Sequence, residues 1–129
     1  MKFAALILMV FFLPLTACDR FYGPKIINEV GLGVKFVVEY ADGGVVDMYP
    51  DYCVGTFIGN PGRLINKIKV VDDGQVVLEV DEQRIGWMME IEDEVSGNAM
   101  WGFTGDGLVF RRKVSRICER YLNVNNQGN

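Results

Sequence analysis

Carboxylates are the main side chains of this sequence that are able to do acid–base chemistry near neutral pH. The sequence contains no histidine, which excludes Ser-His-Asp and Cys-His nucleophilic sites and removes the commonest transition-metal ligand. Glu90 and Glu92 would share one face of a β-strand, about 6.6 Å apart, and paired carboxylates are able to hydrolyse a glycosidic bond. We favour the simpler interpretation, in which both glutamates belong to the polar side of a half-buried strand.

Other residues with chemical potential lack the neighbours that they would need. Ser96 and Ser115 are the only serines, and neither has a base beside it in the sequence. Gly31-Leu32-Gly33 lacks the third glycine of a dinucleotide-binding loop. Asp72-Asp73 and Asp106 do not follow the spacing of a calcium-binding loop and are typical of turns. We therefore expect no catalytic activity, no metal ion and no cofactor.

Short apolar runs between turn sequences predict the elements that position these residues. Residues 34–40 alternate between apolar and polar side chains, as in a strand with one buried face. Asp42-Gly43-Gly44, Asp72-Asp73-Gly74 and Gly105-Asp106-Gly107 are typical of hairpin turns, and Gly59-Asn60-Pro61-Gly62 predicts a further turn. We predict strands over residues 25–30, 34–40, 45–49, 53–58, 64–71, 75–80, 84–92, 99–104 and 108–110.

Residues 84–92 also alternate, and we predict a strand with one face in the core. Its core-facing side chains would be Ile85, Trp87, Met89 and Ile91, and its outward-facing side chains Arg84, Met88, Glu90 and Glu92. An exposed Met88 between carboxylates would be a contact point for a partner.

The C-terminal segment has a different pattern. From Phe110 to Leu122, apolar residues recur every three or four positions, which predicts an amphipathic helix packed on the sheet. A last edge strand over residues 110–122 is the competing interpretation, and residues 124–129 should form a frayed tail. The predicted fold class is α+β and mainly antiparallel β, as a small sandwich or open barrel of about 6–8 strands with a C-terminal helix. An all-β sandwich is the alternative.

The N-terminal residues resemble the signal peptide and lipobox of bacterial lipoproteins. Lys2 supplies a positive charge, and residues 3–13 form an uninterrupted apolar run of signal-peptide length that is too short to span a membrane. Pro14 ends the run, and Leu15-Thr16-Ala17-Cys18 matches the lipobox. The resemblance covers residues 1–18 and says nothing about the domain that follows.

The resemblance implies how the chain is processed and where it is located. Residues 1–17 would be a cleaved signal peptide, and Cys18 would carry the lipid, palmitate included, that anchors the protein to the membrane. Residues 18–24 would be a short tether, and residues 25–123 a single β-rich domain. The domain would face the periplasm of the bacterial cell envelope, and Asp19 favours the inner over the outer membrane.

An envelope location also assigns the two remaining cysteines. Cys53 and Cys118 form an even pair in an oxidising compartment, so we predict a disulfide bond between them. Two free thiols are the alternative.

The charged residues are strongly segregated along the sequence. Residues 79–94 contain seven acids and one base, whereas residues 111–120 contain five bases and one acid. The net charge of −4 becomes −5 when Lys2 is removed with the signal peptide, which argues against nucleic acid as a partner. Either charged segment could face a partner or anionic lipid, or the two could neutralise each other. The candidate partner-binding residues are Met88, Glu90, Glu92, Asp93, Glu94, Arg111, Arg112, Arg116 and Arg120.

These observations favour a protein that works by contact. We expect a membrane-anchored envelope lipoprotein that binds an envelope or secreted protein without catalysis, of the immunity, inhibitor or exclusion type. The alternative is a structural lipoprotein that holds an envelope complex together.

Overall fold

The computed structural model describes residues 23–95 and 99–127. The predicted signal peptide, Cys18, Asp19 and the tether as far as residue 22 lie outside the described residues, as does Ser96. Within the described residues, eight strands and two helices follow one another: β1 Lys25–Asn28, β2 Val34–Tyr40, β3 Val45–Met48, β4 Gly55–Phe57, β5 Ile65–Asp72, β6 Gln75–Asp81, α1 Glu82–Glu94, β7 Met100–Phe103, β8 Leu108–Arg111 and α2 Arg116–Gln127.

The strands form two four-stranded sheets in an α+β, sandwich-like arrangement, as predicted. The first sheet has the order β4-β1-β7-β8 and the second has the order β3-β2-β5-β6. All neighbouring strands are antiparallel except β1 and β7, which pair in parallel with Ile26 opposite Trp101. The two helices rule out the all-β alternative.

The main core lies between the two sheets and α1, because alternate residues of each inner strand point into it. Phe36 and Val38 enter it from β2, and Ile26 and Phe103 enter it from the first sheet. Ile27, the neighbour of Ile26, points to the opposite face of the first sheet and joins a smaller cluster with Cys53, Met100 and Cys118. The first sheet is therefore apolar on both faces, and α2 lies beside the smaller cluster.

The outer face of the second sheet is covered by opposite charges on neighbouring strands. Lys35 Nζ lies 3.3 Å from Asp47 Oδ2, and Lys69 Nζ lies 3.2 Å from Glu39 Oε2. Half-exposed ion pairs of this kind contribute up to about 1 kcal/mol each. They neutralise this face, so its charges are already engaged within the sheet.

The β5–β6 hairpin shows why the turn sequences were informative. Asp73 and Gly74 both adopt positive φ values, 53° and 81°, in a two-residue loop between the paired residues Asp72 and Gln75. This backbone geometry matches the right-handed twist of the flanking strands, and aspartate and glycine tolerate it. The predicted turn is confirmed.

The predicted strand over residues 84–92 is wrong, because these residues lie in α1. The helix buries Ile85 and Met88 against the core, while Trp87 is half exposed. Met88 was expected to face outward, but it is fully buried and is not part of any exposed surface.

Local signals for α1 are present in the sequence. Asp81 accepts a hydrogen bond from the backbone N–H of Arg84 at 2.8 Å and so caps the helix. Ile85, Met88 and Glu92 satisfy a helical spacing as well as Ile85, Trp87 and Met89 satisfy a strand spacing. A short apolar run of this length is ambiguous, and the burial of Ile85 and Met88, about 1.5–3 kcal/mol each, favours the helix.

The C-terminal helix and the disulfide bond are confirmed. Helix α2 begins at Arg116, because Phe110 and Arg111 belong to β8, and it extends to Gln127 where a frayed tail from residue 124 was predicted. Cys118 on α2 is bonded to Cys53, with their Cα atoms 5.2 Å apart. Among the described residues, no helix is long and apolar enough to cross a membrane.

Candidate functional site

The exposed side of α1 combines an aromatic ring with carboxylates. Its residues line a shallow depression of about 540 Å³ and are hereafter called the α1 face: Glu82, Gln83, Gly86, Trp87 and Glu90. Helical geometry explains the grouping, because residues three and four positions apart share a face. Ile85 and Met88 point the other way, into the core, and so fix the orientation of the α1 face.

Trp87 at the centre of the α1 face is held rigidly although half of it is exposed. Its exposed fraction is 52%, and its ring centroid lies 5.5 Å from that of buried Trp101 at an interplanar angle of 49°. Trp101 in turn packs edge-on against Phe110 at 5.1 Å. This row of three rings reaches from the core to the surface, so the outermost ring is presented in a fixed orientation.

Gly86 leaves the helix backbone bare beside Trp87. A Cβ atom added there would meet no other atom within 4 Å, so no contact with the described residues requires a glycine. Glycine within a helix costs roughly 0.5–1 kcal/mol relative to alanine. Packing within the domain offers no compensation for this cost.

The predicted pair Glu90 and Glu92 is not formed. Because residues two positions apart point to nearly opposite sides of a helix, Glu90 is exposed on the α1 face while Glu92 is half buried. Glu92 Oε1 accepts a hydrogen bond from the backbone N–H of Lys25 at 2.8 Å and so joins the end of α1 to the start of β1. Glu92 is a structural residue in this arrangement, and Asp93 and Glu94 are exposed at the end of the helix.

Arg111 is likewise part of the fold, contrary to the expectation that it faces a partner. Its guanidinium donates from Nε and Nη2 to the two carboxylate oxygens of Glu29, with an Nη2–Oε1 distance of 2.9 Å. The other three predicted basic residues, Arg112, Arg116 and Arg120, are exposed on or just before α2.

The acidic and basic surfaces remain separate. Helix α1 packs on β5 and β6 of the second sheet, whereas α2 lies beside the outer cluster of the first sheet. No ion pair among the described residues joins Glu82, Glu90 or Glu94 to Arg112, Arg116 or Arg120. Neutralisation of one segment by the other is therefore not the arrangement of these residues.

Sequence reasoning missed the role of the β1–β2 turn. Leu32 at its tip is 97% exposed and, together with Tyr49 and Pro50, lines a cavity of about 480 Å³. The turn is held by fully buried Asn28, whose amide donates to Gly31 O at 2.8 Å and whose Oδ1 accepts from the backbone N–H of Val30 at 3.0 Å. The available signal was a leucine between two glycines in a predicted turn.

Metal-binding and family relationships were examined last. The described residues contain no group of three or more cysteine, aspartate or glutamate side chains that could hold a metal ion. Comparison of the chain with protein-family models, with curated proteins and with solved structures found no match.

Proposed function

We propose that this chain is a lipid-anchored envelope lipoprotein that binds another protein through the α1 face, without catalysis. The partner would be a basic envelope or secreted protein, as for an immunity, inhibitor or exclusion protein. The observation that carries the proposal is the half-exposed Trp87, held by Trp101 and surrounded by carboxylates.

The rigid tryptophan supports recognition of a protein surface. Tryptophan is enriched among the few residues that dominate binding energy at protein interfaces, where it fills pockets near the centre. The contacts of Trp87 with Trp101 restrict its ring before a partner arrives, so little conformational entropy remains to be lost on binding.

The charge around Trp87 supports a basic partner. Glu82 and Glu90 flank the ring on the exposed side of α1, and Glu94 lies one turn beyond Glu90. Complementary charge speeds the encounter of two proteins and discriminates against partners of the same sign.

Gly86 supports a close approach of the partner. Because nothing in the described residues occupies the space where its Cβ would lie, a partner backbone is able to contact α1 directly beside Trp87. The conformational cost of a mid-helix glycine then has a functional reason.

The anchor at Cys18 is the second part of the proposal, and it is supported by the lipobox sequence. The described chain begins at Gly23, whose N–H donates to Ile58 O at 2.9 Å, so residues 18–22 would be the free tether. Five extended residues reach at most about 17–18 Å, which would hold the domain against the bilayer. Cys18→Ser should abolish palmitate labelling and release the protein from the membrane fraction; persistent labelling would refute the anchor.

Binding is tested by variants of the α1 face. Gly86→Ala should stabilise the helix by about 0.5–1 kcal/mol and yet weaken binding, because the added methyl group would stand between the two backbones. Trp87→Ala and Glu90→Lys should also weaken binding. Glu119→Lys on α2 makes the same charge change elsewhere and is the matched control.

The measurement is affinity purification of the lipidated protein with the secreted and detergent-solubilised envelope fractions of its host. We expect a soluble basic protein at near-unit stoichiometry with the unaltered chain and the control, and a loss with Gly86→Ala despite its higher melting temperature. Equal capture by all variants would refute the α1 face. Cleavage of peptidoglycan that is lost in Glu90→Gln would refute a purely binding role.

An assembly role is the second candidate, favoured by the exposed Leu32 and the cavity beside it. A protein that joins several components needs more than one contact surface, and this turn offers one on a different element from α1. Co-purification of membrane-embedded components that is lost in Leu32→Ser, but retained in Gly86→Ala, would support this role over capture of a soluble protein.

A further inference from the structure

Helix α2 has an apolar stripe that no described residue covers. Ile117, Tyr121 and Val124 are exposed by 61%, 41% and 67%, and their spacing of four and three residues places them on one side of the helix. Cys118 lies on the other side, fully buried and bonded to Cys53. The disulfide therefore fixes which side of α2 faces away from the domain.

Few contacts beyond the disulfide hold α2. Tyr121 stacks on Tyr52 with ring centroids 4.6 Å apart, and Val114 just before the helix packs against the small cluster around Cys118. The helix also begins at a cap, since Ser115 Oγ accepts a hydrogen bond from the backbone N–H of Cys118 at 3.3 Å. The helix is thus attached by one side near its start and is open along the stripe.

The apolar stripe is flanked by basic residues. Arg112 and Lys113 precede α2, and Arg116 and Arg120 lie on it four residues apart. All four side chains are exposed, and none forms an ion pair with another described residue. Four unpaired positive charges beside one exposed acid, Glu119, leave this end of an acidic protein locally positive.

We infer that α2 binds the surface of an anionic lipid bilayer. A helix with a narrow apolar stripe, an arginine-rich polar side and low overall hydrophobicity is typical of helices that lie in the membrane interface. The ring of Tyr121 carries both an apolar body and a polar tip, which suits this boundary. Each basic residue near an anionic surface strengthens binding by roughly fivefold.

The position of α2 allows it to reach the same bilayer as the proposed anchor, and this step rests on the proposed function. The described chain starts at Gly23, and β1 runs from there to Asn28, whose carbonyl accepts from the N–H of Cys53 at 2.8 Å. Four strand residues span about 13 Å, which is less than the roughly 17 Å reach of residues 18–22. The lipid on Cys18 and the stripe on α2 are therefore able to contact one membrane together.

The test is hydrogen exchange of α2 amides in the full-length gene product, reconstituted into phosphatidylcholine vesicles with or without phosphatidylglycerol. We expect slower exchange of α2 on anionic than on neutral vesicles, and a return towards the neutral rate at high salt. The double variant Arg116→Glu/Arg120→Glu should lose about 25-fold of this protection, since two basic residues contribute roughly fivefold each. Ile117→Ser should reduce it on anionic vesicles.

Matched controls separate charge and fold from membrane contact. Lys67→Glu/Arg84→Glu changes the net charge equally on other elements, and Val76→Ser removes an equally exposed apolar residue from β6. Both controls should keep the protection of α2. Equal exchange on anionic and neutral vesicles, or an equal loss in the controls, would overturn the inference, as would protection that depends on protein concentration and reports pairing of α2 with a second copy.

The outcome is separable from that of the proposed function. Mass spectrometry of Cys18 reports the anchor, and capture through the α1 face is measured on other variants. If Cys18 carries no lipid, the same exchange measurement is made with vesicles added to the unmodified protein, and α2 should still be protected by anionic lipid.

Discussion

Arg111 on β8 holds the carboxylate of Glu29 with two hydrogen bonds across the first sheet. The Glu29 side chain is only 4% exposed, and the two residues are separated by 82 positions in the sequence. The pair lies over Gly102 on β7, where a Cβ atom would overlap with the Glu29 carboxylate and contact Arg111 Nε. Glycine at position 102 therefore leaves the space that the pair occupies.

Removing the arginine should leave a buried carboxylate without its counter-charge. We expect Arg111→Met to lower the free energy of unfolding by about 3–5 kcal/mol, because an uncompensated buried charge is far costlier than a lost surface contact. Arg112→Met, one residue away and exposed, should change it by less than about 0.5 kcal/mol. Urea denaturation at neutral pH measures both, and similar values for the two variants would contradict this role of the pair.

Local patterns predicted most of the fold, and long-range partners were beyond their reach. The strands and hairpin turns follow from alternation and glycine placement, and the disulfide bond follows from there being two cysteines beyond the proposed lipid site. Arg111 was placed among surface charges because nothing near it in sequence identifies Glu29 as its partner. The parallel pairing of β1 with β7 is long-range for the same reason.

The candidate site illustrates the cost of one wrong period. Because residues 84–92 were interpreted as a strand, Met88 was assigned to the surface and Trp87 to the core, and the structure reverses both. Glu90 stays exposed under either interpretation. The Asp81 cap was the sequence signal that distinguished the two, since it precedes a run of good helix formers.

The disulfide bond should dominate the stability of the C-terminal region. It closes a loop over a separation of 65 residues, so Cys53→Ala/Cys118→Ala should cost about 4 kcal/mol in the chain-entropy model. Cys53 has a φ of 62°, a left-handed conformation that costs a non-glycine residue roughly 1–2 kcal/mol. Cys53→Gly/Cys118→Ala should therefore be more stable than the double alanine variant. Chemical denaturation ranks the three proteins, and the opposite order of the two variants would argue against strain at Cys53.

The β2–β3 turn should make stability depend on pH in the acid range. Arg63 donates to both oxygens of Asp42 at 3.2 and 3.0 Å, and this contact, with a weaker contribution from the N–H of Gly44, holds the pKa of Asp42 below its ordinary value of 3.8. A lowered pKa in the folded state means that this stabilisation is complete above the ordinary value and is lost as the pH falls below it.

Asp42→Asn should therefore remove part of the acid dependence of the melting temperature. We expect the variant to be less stable than the unaltered chain at neutral pH and to approach it as the pH falls below 3.8. Arg63→Gln should have the same effect, and the double variant should add little to either. Parallel pH profiles for the unaltered chain and Asp42→Asn would show that the ion pair does not contribute.

Asn28 should determine whether Leu32 is presented in one conformation. Its side chain is fully buried and bonds to the backbone of Val30 and Gly31, which closes the turn beneath Leu32. Asn28→Ala leaves the buried carbonyl of Gly31 without this donor, so we expect a loss of about 1–3 kcal/mol and faster hydrogen exchange in residues 29–33. Asn66→Ala, at an exposed position on β5, is the control. If exchange in the turn were unchanged while stability fell, Asn28 would support the core alone and the turn would be ordered by its flanking strands.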